Sequence, residues 1–312
     1  MDSWQQRLSL FAKGMTMGAA DVVPGVSGGT MALITGVYDR LLEGLSRIDG
    51  QAIGLLGRGQ IAELWRYVDG TFLLTLFSGV LLSILSLARL ITHLLQAYPV
   101  LVWSFFFGLI LVSAFYVGRS LDRWTPAAWG MLLLGAVVAW VITVAHPLQL
   151  QADLPTLFMA GAIAVCAMIL PGISGSFILL LMGLYGPVMS AIKGFDFTVL
   201  ATVAGGCVVG LLSFSRVLNW LLHHYHRATM AFLCGLMLGS LNKVWPWKET
   251  LSVRINSAGE TVPLLQRNLL PGQYEVTLGE SGYVFESVGL MLFAVVLVLA
   301  ITRLAGSSKT AH

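Results

Sequence analysis

The sequence predicts an all-α polytopic membrane protein. Two inverted-topology repeats would each hold a re-entrant helical hairpin plus about three transmembrane helices, the second with a small extracytoplasmic insert. Three observations lead there. The 312 residues are 57% hydrophobic and 11% charged, with a mean hydropathy of +0.83. Soluble domains carry about 25% charged residues, so a water-soluble chain is excluded. The stretch DVVPGVSGGTMALITGVY, Asp21 to Tyr38, returns 147 positions later as MILPGISGSFILLLMGLY, Met168 to Tyr185. Matched helix interruptions in two halves of an apolar chain point to a transporter's binding site. Finally, each motif is followed by three apolar segments.

Residues 1–13 form a short polar, amphipathic start with Arg7 and Lys13, and lack the compact apolar core and small-residue cleavage site of a signal peptide. The first motif region, 14–38, is too short for two spans of about 20 residues each. It reads either as a re-entrant hairpin or as one broken span. Residues 39–71 are a polar connection with Arg40, Arg47, Arg58 and Arg66 among five acids. Apolar spans follow at 72–94, 100–118 and 127–145, then a connection without Lys or Arg at 146–153. The second motif region covers 154–185, with spans at 198–222, 228–245 and 284–302. Between the last two lies a polar insert, 246–283, in which SVRIN and QYEVTL read as short strands. The division is therefore 1–153, 154–304 and a tail at 305–312.

The repeat extends past the motif. At an offset of 127, Gly79, Ser86, Arg89, Tyr98, Gly108 and Ser113 meet Gly206, Ser213, Arg216, Tyr225, Gly235 and Ser240. At 159, Gly130 and Ile142-Thr143 meet Gly289 and Ile301-Thr302. Three spans per half is an odd number, so a re-entrant motif requires the halves to be inverted, with both termini cytoplasmic. That arrangement puts eleven Lys and Arg inside and five outside, as the positive-inside rule asks. Parallel halves with an external N-terminus score the same. The inverted form is preferred because the other exports a start carrying Arg7 and Lys13 without a signal.

Pro24-Gly25 and Pro171-Gly172 must break the helix, because proline removes a donor and glycine permits the turn. Ser27 and Ser174 are natural N-caps for the half-helix that follows. Gly28, Gly29 and Gly175 would leave its first amides open to a close anion, with Thr30 and Ser176 adding hydroxyls. The plainer reading is a pair of glycine-rich kinks for helix packing. Arg89 and Arg216 lie at equivalent places inside apolar segments, where charge costs at least about 2.5 kcal/mol and commonly has a function. Guanidinium forks suit phosphate oxygens; snorkelling to the headgroups is the alternative. Asp21 precedes the first break and its counterpart is Met168. It is a candidate group for coupling to H+ or Na+, or else a structural cap.

Cys166, Cys207 and Cys234 lie in apolar segments at spacings unlike a metal site and read as small core residues. No metal, cofactor or nucleic-acid signature is expected. Trp103, Trp124, Trp220 and Trp245 near span ends fit interfacial belts.

With these residues in hand, the chain resembles the bacterial polyprenyl-phosphate (undecaprenyl phosphate) transporter family, long known only as a domain of unknown function. The resemblance rests on GMTMGAADVVPGVSGGTMALITGVYDRL, Gly14–Leu41, and AMILPGISGSFILLLMGLYGPV, Ala167–Val188. It covers about residues 8 to 304. It implies return of undecaprenyl phosphate from the outer to the inner leaflet of the bacterial cytoplasmic membrane, for reuse in cell-wall synthesis. The phosphate would lie at the PGxSG half-helices and the membrane arginines, and the prenyl tail in the bilayer. An ion-coupled transporter or channel for a small anion is the alternative. A lipid phosphatase is disfavoured because the motif lacks a histidine for covalent chemistry.

Overall fold

A computed structural model of the chain describes residues 4–23, 26–255 and 261–307. The first motif region forms α1 (Trp4–Asp21), α2 (Gly28–Ile34) and α3 (Tyr38–Ser46). Two short helices, α4 (Gly50–Gly57) and α5 (Ile61–Tyr67), fill the polar connection. Then come α6 (Gly70–Ala97), α7 (Pro99–Arg119) and α8 (Pro126–Val144). The second half repeats the order: α9 (Leu154–Ile169), α10 (Gly175–Leu181), α11 (Tyr185–Gly194), α12 (Phe197–His224) and α13 (His226–Ser240). The insert contains β1 (Lys248–Ile255), β2 (Thr261–Asn268) and α14 (Pro271–Leu278), and α15 (Val284–Ser307) closes the chain. Among the described residues, α6, α7, α8 and α12 are each long and apolar enough to cross a membrane, while α10 and α11 form a pair bent by 109°.

Local sequence explains the starts. Pro126 occupies the first turn of α8, where its missing N–H would have no partner anyway. Thr125 Oγ1 accepts from Ala128 N at 3.2 Å. Asp153 caps α9 through Thr156 N and Asp196 caps α12 through Thr198 N and Val199 N, each satisfying amides that the helix leaves orphaned.

Three expectations are corrected. The helix of the first motif begins at Trp4 rather than near residue 14, so the polar start is its first turns. QYEVTL is helical: Pro271 opens α14, Gln273 Oε1 accepts from Leu270 N at 3.2 Å, and Gly279 at φ 69° closes it. The strand pairing antiparallel with β1 is instead TVPLLQRN. The expected span at 228–245 also ends early, at Ser240.

In lipid, apolar surface supplies no drive between helices, so close contact through small residues holds them together. The same contacts occur in both halves. A Cβ at Gly79 of α6 would stand 2.3 Å from Phe11 O of α1, and one at Gly206 of α12 would stand 1.9 Å from Phe158 O of α9. Phe158 lies 147 positions after Phe11, and Gly206 lies 127 after Gly79. Across the halves, Gly108 of α7 abuts Met291 of α15 and Gly235 of α13 abuts Leu132 of α8. The third long helix of each half therefore packs on the second of the other, and an added methyl at these glycines has nowhere to go.

Candidate functional site

The two helix breaks meet inside the protein. Ser27 caps α2 by accepting from Gly29 N at 3.1 Å. Its hydroxyl proton faces the carbonyls of Met168 at 3.3 Å and Leu170 at 3.2 Å. Tyr38 OH donates to Ile169 O at 3.1 Å, and Thr30 Oγ1 accepts from Gly172 N at 3.1 Å. Ser27, Thr30 and Tyr38 are all buried. The last carbonyls of α9 lack intrahelical partners, and hydroxyls of the first break satisfy them, as backbone inside a bilayer requires. Gly172 sits at φ 87°, a conformation glycine adopts without strain.

The first break also seals itself. Asp21 Oδ1 accepts from Gly28 N at 2.7 Å, so the amides of Gly28 and Gly29 are not bare, contrary to the sequence expectation. Lys13 Nζ donates to Thr35 O at 2.8 Å, which shows that α2 doubles back along α1. The second break is different. A Cβ at Gly175 would stand 2.6 Å from Met168 Cγ, where the equivalent atom at Gly28 meets the Asp21 carboxylate at 2.5 Å. Ser174 makes no side-chain cap; its Oγ lies 2.9 Å from Ser176 Oγ. A carboxylate thus closes the α2 end, and a thioether stands at the α10 end.

Among the expected site residues, Asp21, Ser27, Gly28, Gly29 and Thr30 form one cluster with Gly172, and Ser174, Gly175 and Ser176 line the start of α10. Pro171 is buried at the second break. Pro24 and Gly25 lie outside the described residues. Arg89 and Arg216 are exposed and bond to neither break. Arg216 Nη2 donates to Ile48 O at 2.6 Å and Nε to Ser46 O at 3.4 Å. Asn219 Nδ2 donates to Ser46 Oγ at 3.3 Å. Sequence reasoning passed over Lys13 and Tyr38. Tyr38 carried a signal in its recurrence as Tyr185; Lys13 carried none.

These features define a multi-pass helical membrane protein whose two interrupted helices interlock at a polar centre. Comparison with known proteins supplies the family. Residues 17–262 match the undecaprenyl phosphate translocase-like family. A polyprenyl-phosphate transporter of Vibrio cholerae is 51% identical over 298 residues, covering 96% of this chain and 97% of its own. A polyprenyl-phosphate transporter of Staphylococcus aureus is 34% identical over 256 residues, 76% of this chain and 86% of its own. The chain belongs to this family. No solved structure matches it.

Proposed function

We propose that this chain carries undecaprenyl phosphate from the outer to the inner leaflet of the bacterial cytoplasmic membrane. The observation that carries this reading is the interlocked pair of breaks, Ser27 onto Met168 and Leu170 and Thr30 onto Gly172, in a chain whose relatives are named polyprenyl-phosphate transporters. A polar centre inside an apolar bundle gives a phosphate headgroup a place to cross while its prenyl tail stays in lipid.

The doubling back of α2 along α1 supports a re-entrant first motif, and with three further helices in each half the two halves are then inverted. Alternation between the halves exposes the centre to each leaflet in turn. Ser174, Gly175 and Ser176 on the less sealed α10 side, with Ser27, Gly28, Gly29 and Thr30 opposite, hold the phosphate as the breaks part. Arg89 and Arg216 accompany it on the two flanking helices. Asp21 couples the movement to H+ or Na+, because a carboxylate beside an anion site must be neutralised when the anion arrives. No covalent chemistry is required.

The test is transfer in reconstituted vesicles. Labelled polyprenyl phosphate placed in one leaflet should redistribute with the protein and remain without it. Uptake of soluble phosphate with no lipid transfer would instead favour the small-anion transporter.

A further inference from the structure

A second polar chamber lies outside the interlocked breaks, under the insert. Asn268 Nδ2 donates to Asn242 O at 3.0 Å and Oδ1 at 2.8 Å, and Asn242 Nδ2 donates to Thr143 Oγ1 at 2.9 Å. Trp245 Nε1 donates to Leu269 O at 2.8 Å. These bonds fasten the β-hairpin over the ends of α8 and α13. Beneath it is a cavity of about 360 Å³, lined among others by His146, Phe177, Lys243, Lys248, Arg267 and Asn268. Among the described residues no Asp or Glu lines it.

The charge in this chamber is one-sided. Lys248 Nζ donates to Lys243 O and stands 4.3 Å from the Trp103 ring centre. Lys243 Nζ stands 4.6 Å from the Phe177 ring centre. Arg267 is neutralised by Glu249 at 2.7 Å. The two lysines are held by aromatic rings and a carbonyl, and neither pairs with a carboxylate among the described residues. Burial pushes both ammonium groups below the usual lysine range, and at Lys248 the neighbouring Lys243 adds to the larger effect of burial. Both lysines line this one cavity, and because buried charges are ordinarily paired, an anion held there would match them. Phe177, Leu180 and Leu181 of α10 form one wall. At a rise of 1.5 Å per residue they lie only about 3–9 Å along that helix from Gly175.

We propose that this chamber is a phosphoryl-anion site, with Lys243 and Lys248 supplying the charge. Building on the transport reading above, it receives the phosphate of the lipid before the headgroup passes along α10 to the breaks. Its ligand chemistry is that of a phosphomonoester, which a lipid headgroup and free phosphate share.

Trp103 beside Lys248 provides a readout. The full chain in nanodiscs is titrated by tryptophan emission, with inorganic phosphate in one arm and undecaprenyl phosphate incorporated into the disc lipid in the other. A saturable response in either arm supports the site; response to lipid alone names the lipid headgroup as the source. The Lys243→Gln/Lys248→Gln variant should bind about tenfold more weakly or worse, as expected for losing charge-assisted hydrogen bonds. The Lys243→Arg/Lys248→Arg variant should retain binding. Lys243→Gln alone, which leaves the Lys248 bond to the carbonyl of residue 243 in place, repeats the test if the double variant fails to fold. No response in either arm, or wild-type affinity in the folded Gln variants, overturns the proposal. Wild-type protein that binds but moves no lipid phosphate would remove the transport reading and leave the chamber standing. Transport with wild-type binding in the Gln variants would do the reverse.

Discussion

Arg216 Nη2 donates to Ile48 O at 2.6 Å, joining the second half of the protein to the end of α3 in the first. A cation at a helix C-terminus satisfies the last carbonyls and meets the negative end of the helix dipole. Arg89, the repeat counterpart, makes no equivalent bond among the described residues. Positions 193 and 195 of α11 and its cap correspond to 46 and 48, and α11 does not pack on α6 as α3 packs on α12. The contact made between α3 and α12 is therefore not matched between α11 and α6.

That asymmetry predicts a lock. Ser46→Cys with Asn219→Cys, in a background lacking Cys166, Cys207 and Cys234, should cross-link with a short bifunctional reagent, because the native side chains are 3.3 Å apart. Cross-linked protein should lose vesicle transport and regain it when a cleavable linker is cut. Unimpaired transport with the contact fixed would mean that α3 and α12 need not separate.

Ser27→Ala removes a cap and a donor to two carbonyls. The expected loss is about 1–2 kcal/mol of stability. Thr30→Val leaves Gly172 N unpaired in a buried site, costing about 1–3 kcal/mol. Thermal unfolding in detergent measures both. Ser176→Ala, which among the described residues loses a hydrogen bond to the Ser174 hydroxyl, should cost less than either.

Asp21→Asn keeps an oxygen for Gly28 N and removes the charge. Its stability should stay within about 1 kcal/mol of wild type, as for an exchange of good N-cap residues. Transport should lose its dependence on an applied H+ or Na+ gradient. A variant with unchanged gradient dependence would reduce Asp21 to a cap.

The two lysines under the insert predict a pH dependence with a definite sign. Their folded pKa values lie below the unfolded one. The unfolded chain therefore binds more protons in that window, and native stability rises as pH rises through it. A bound phosphate favours the protonated lysines, so phosphate affinity should fall over the same rise. Denaturation midpoints and phosphate titrations across alkaline pH check the two opposed slopes.

Much of the architecture was legible because the repeat constrained it. The 147 and 127 offsets, read from Gly and Ser positions, reappear as the contacts of Phe11 with Gly79 and Phe158 with Gly206. The spans at 72–94, 100–118, 127–145 and 198–222 fall within one to three residues of their helices, since long apolar runs leave little choice of period. Shorter signals failed where local chemistry competed. QYEVTL alternates like a strand, yet the Pro271 start and the Gly279 stop made it helical. At the site, the Ser-Gly pairs were visible but their partners were not. Seven residues separate Asp21 from the amide it caps, and about 140 separate Ser27 from its carbonyls. Lys243 read as the charged end of the expected span at 228–245 and Lys248 as an ordinary charge of the polar insert, because only the fold brings both to the lining of one cavity.

The most direct measurement is the amount of undecaprenyl phosphate exposed on the outer leaflet of cells with and without this protein, read with an externally added headgroup-binding reagent. In cells lacking any other such transporter, loss of the protein should make the external lipid phosphate accumulate, and restoring the wild-type chain should clear it. An unchanged external pool would contradict transport of this lipid toward the inner leaflet.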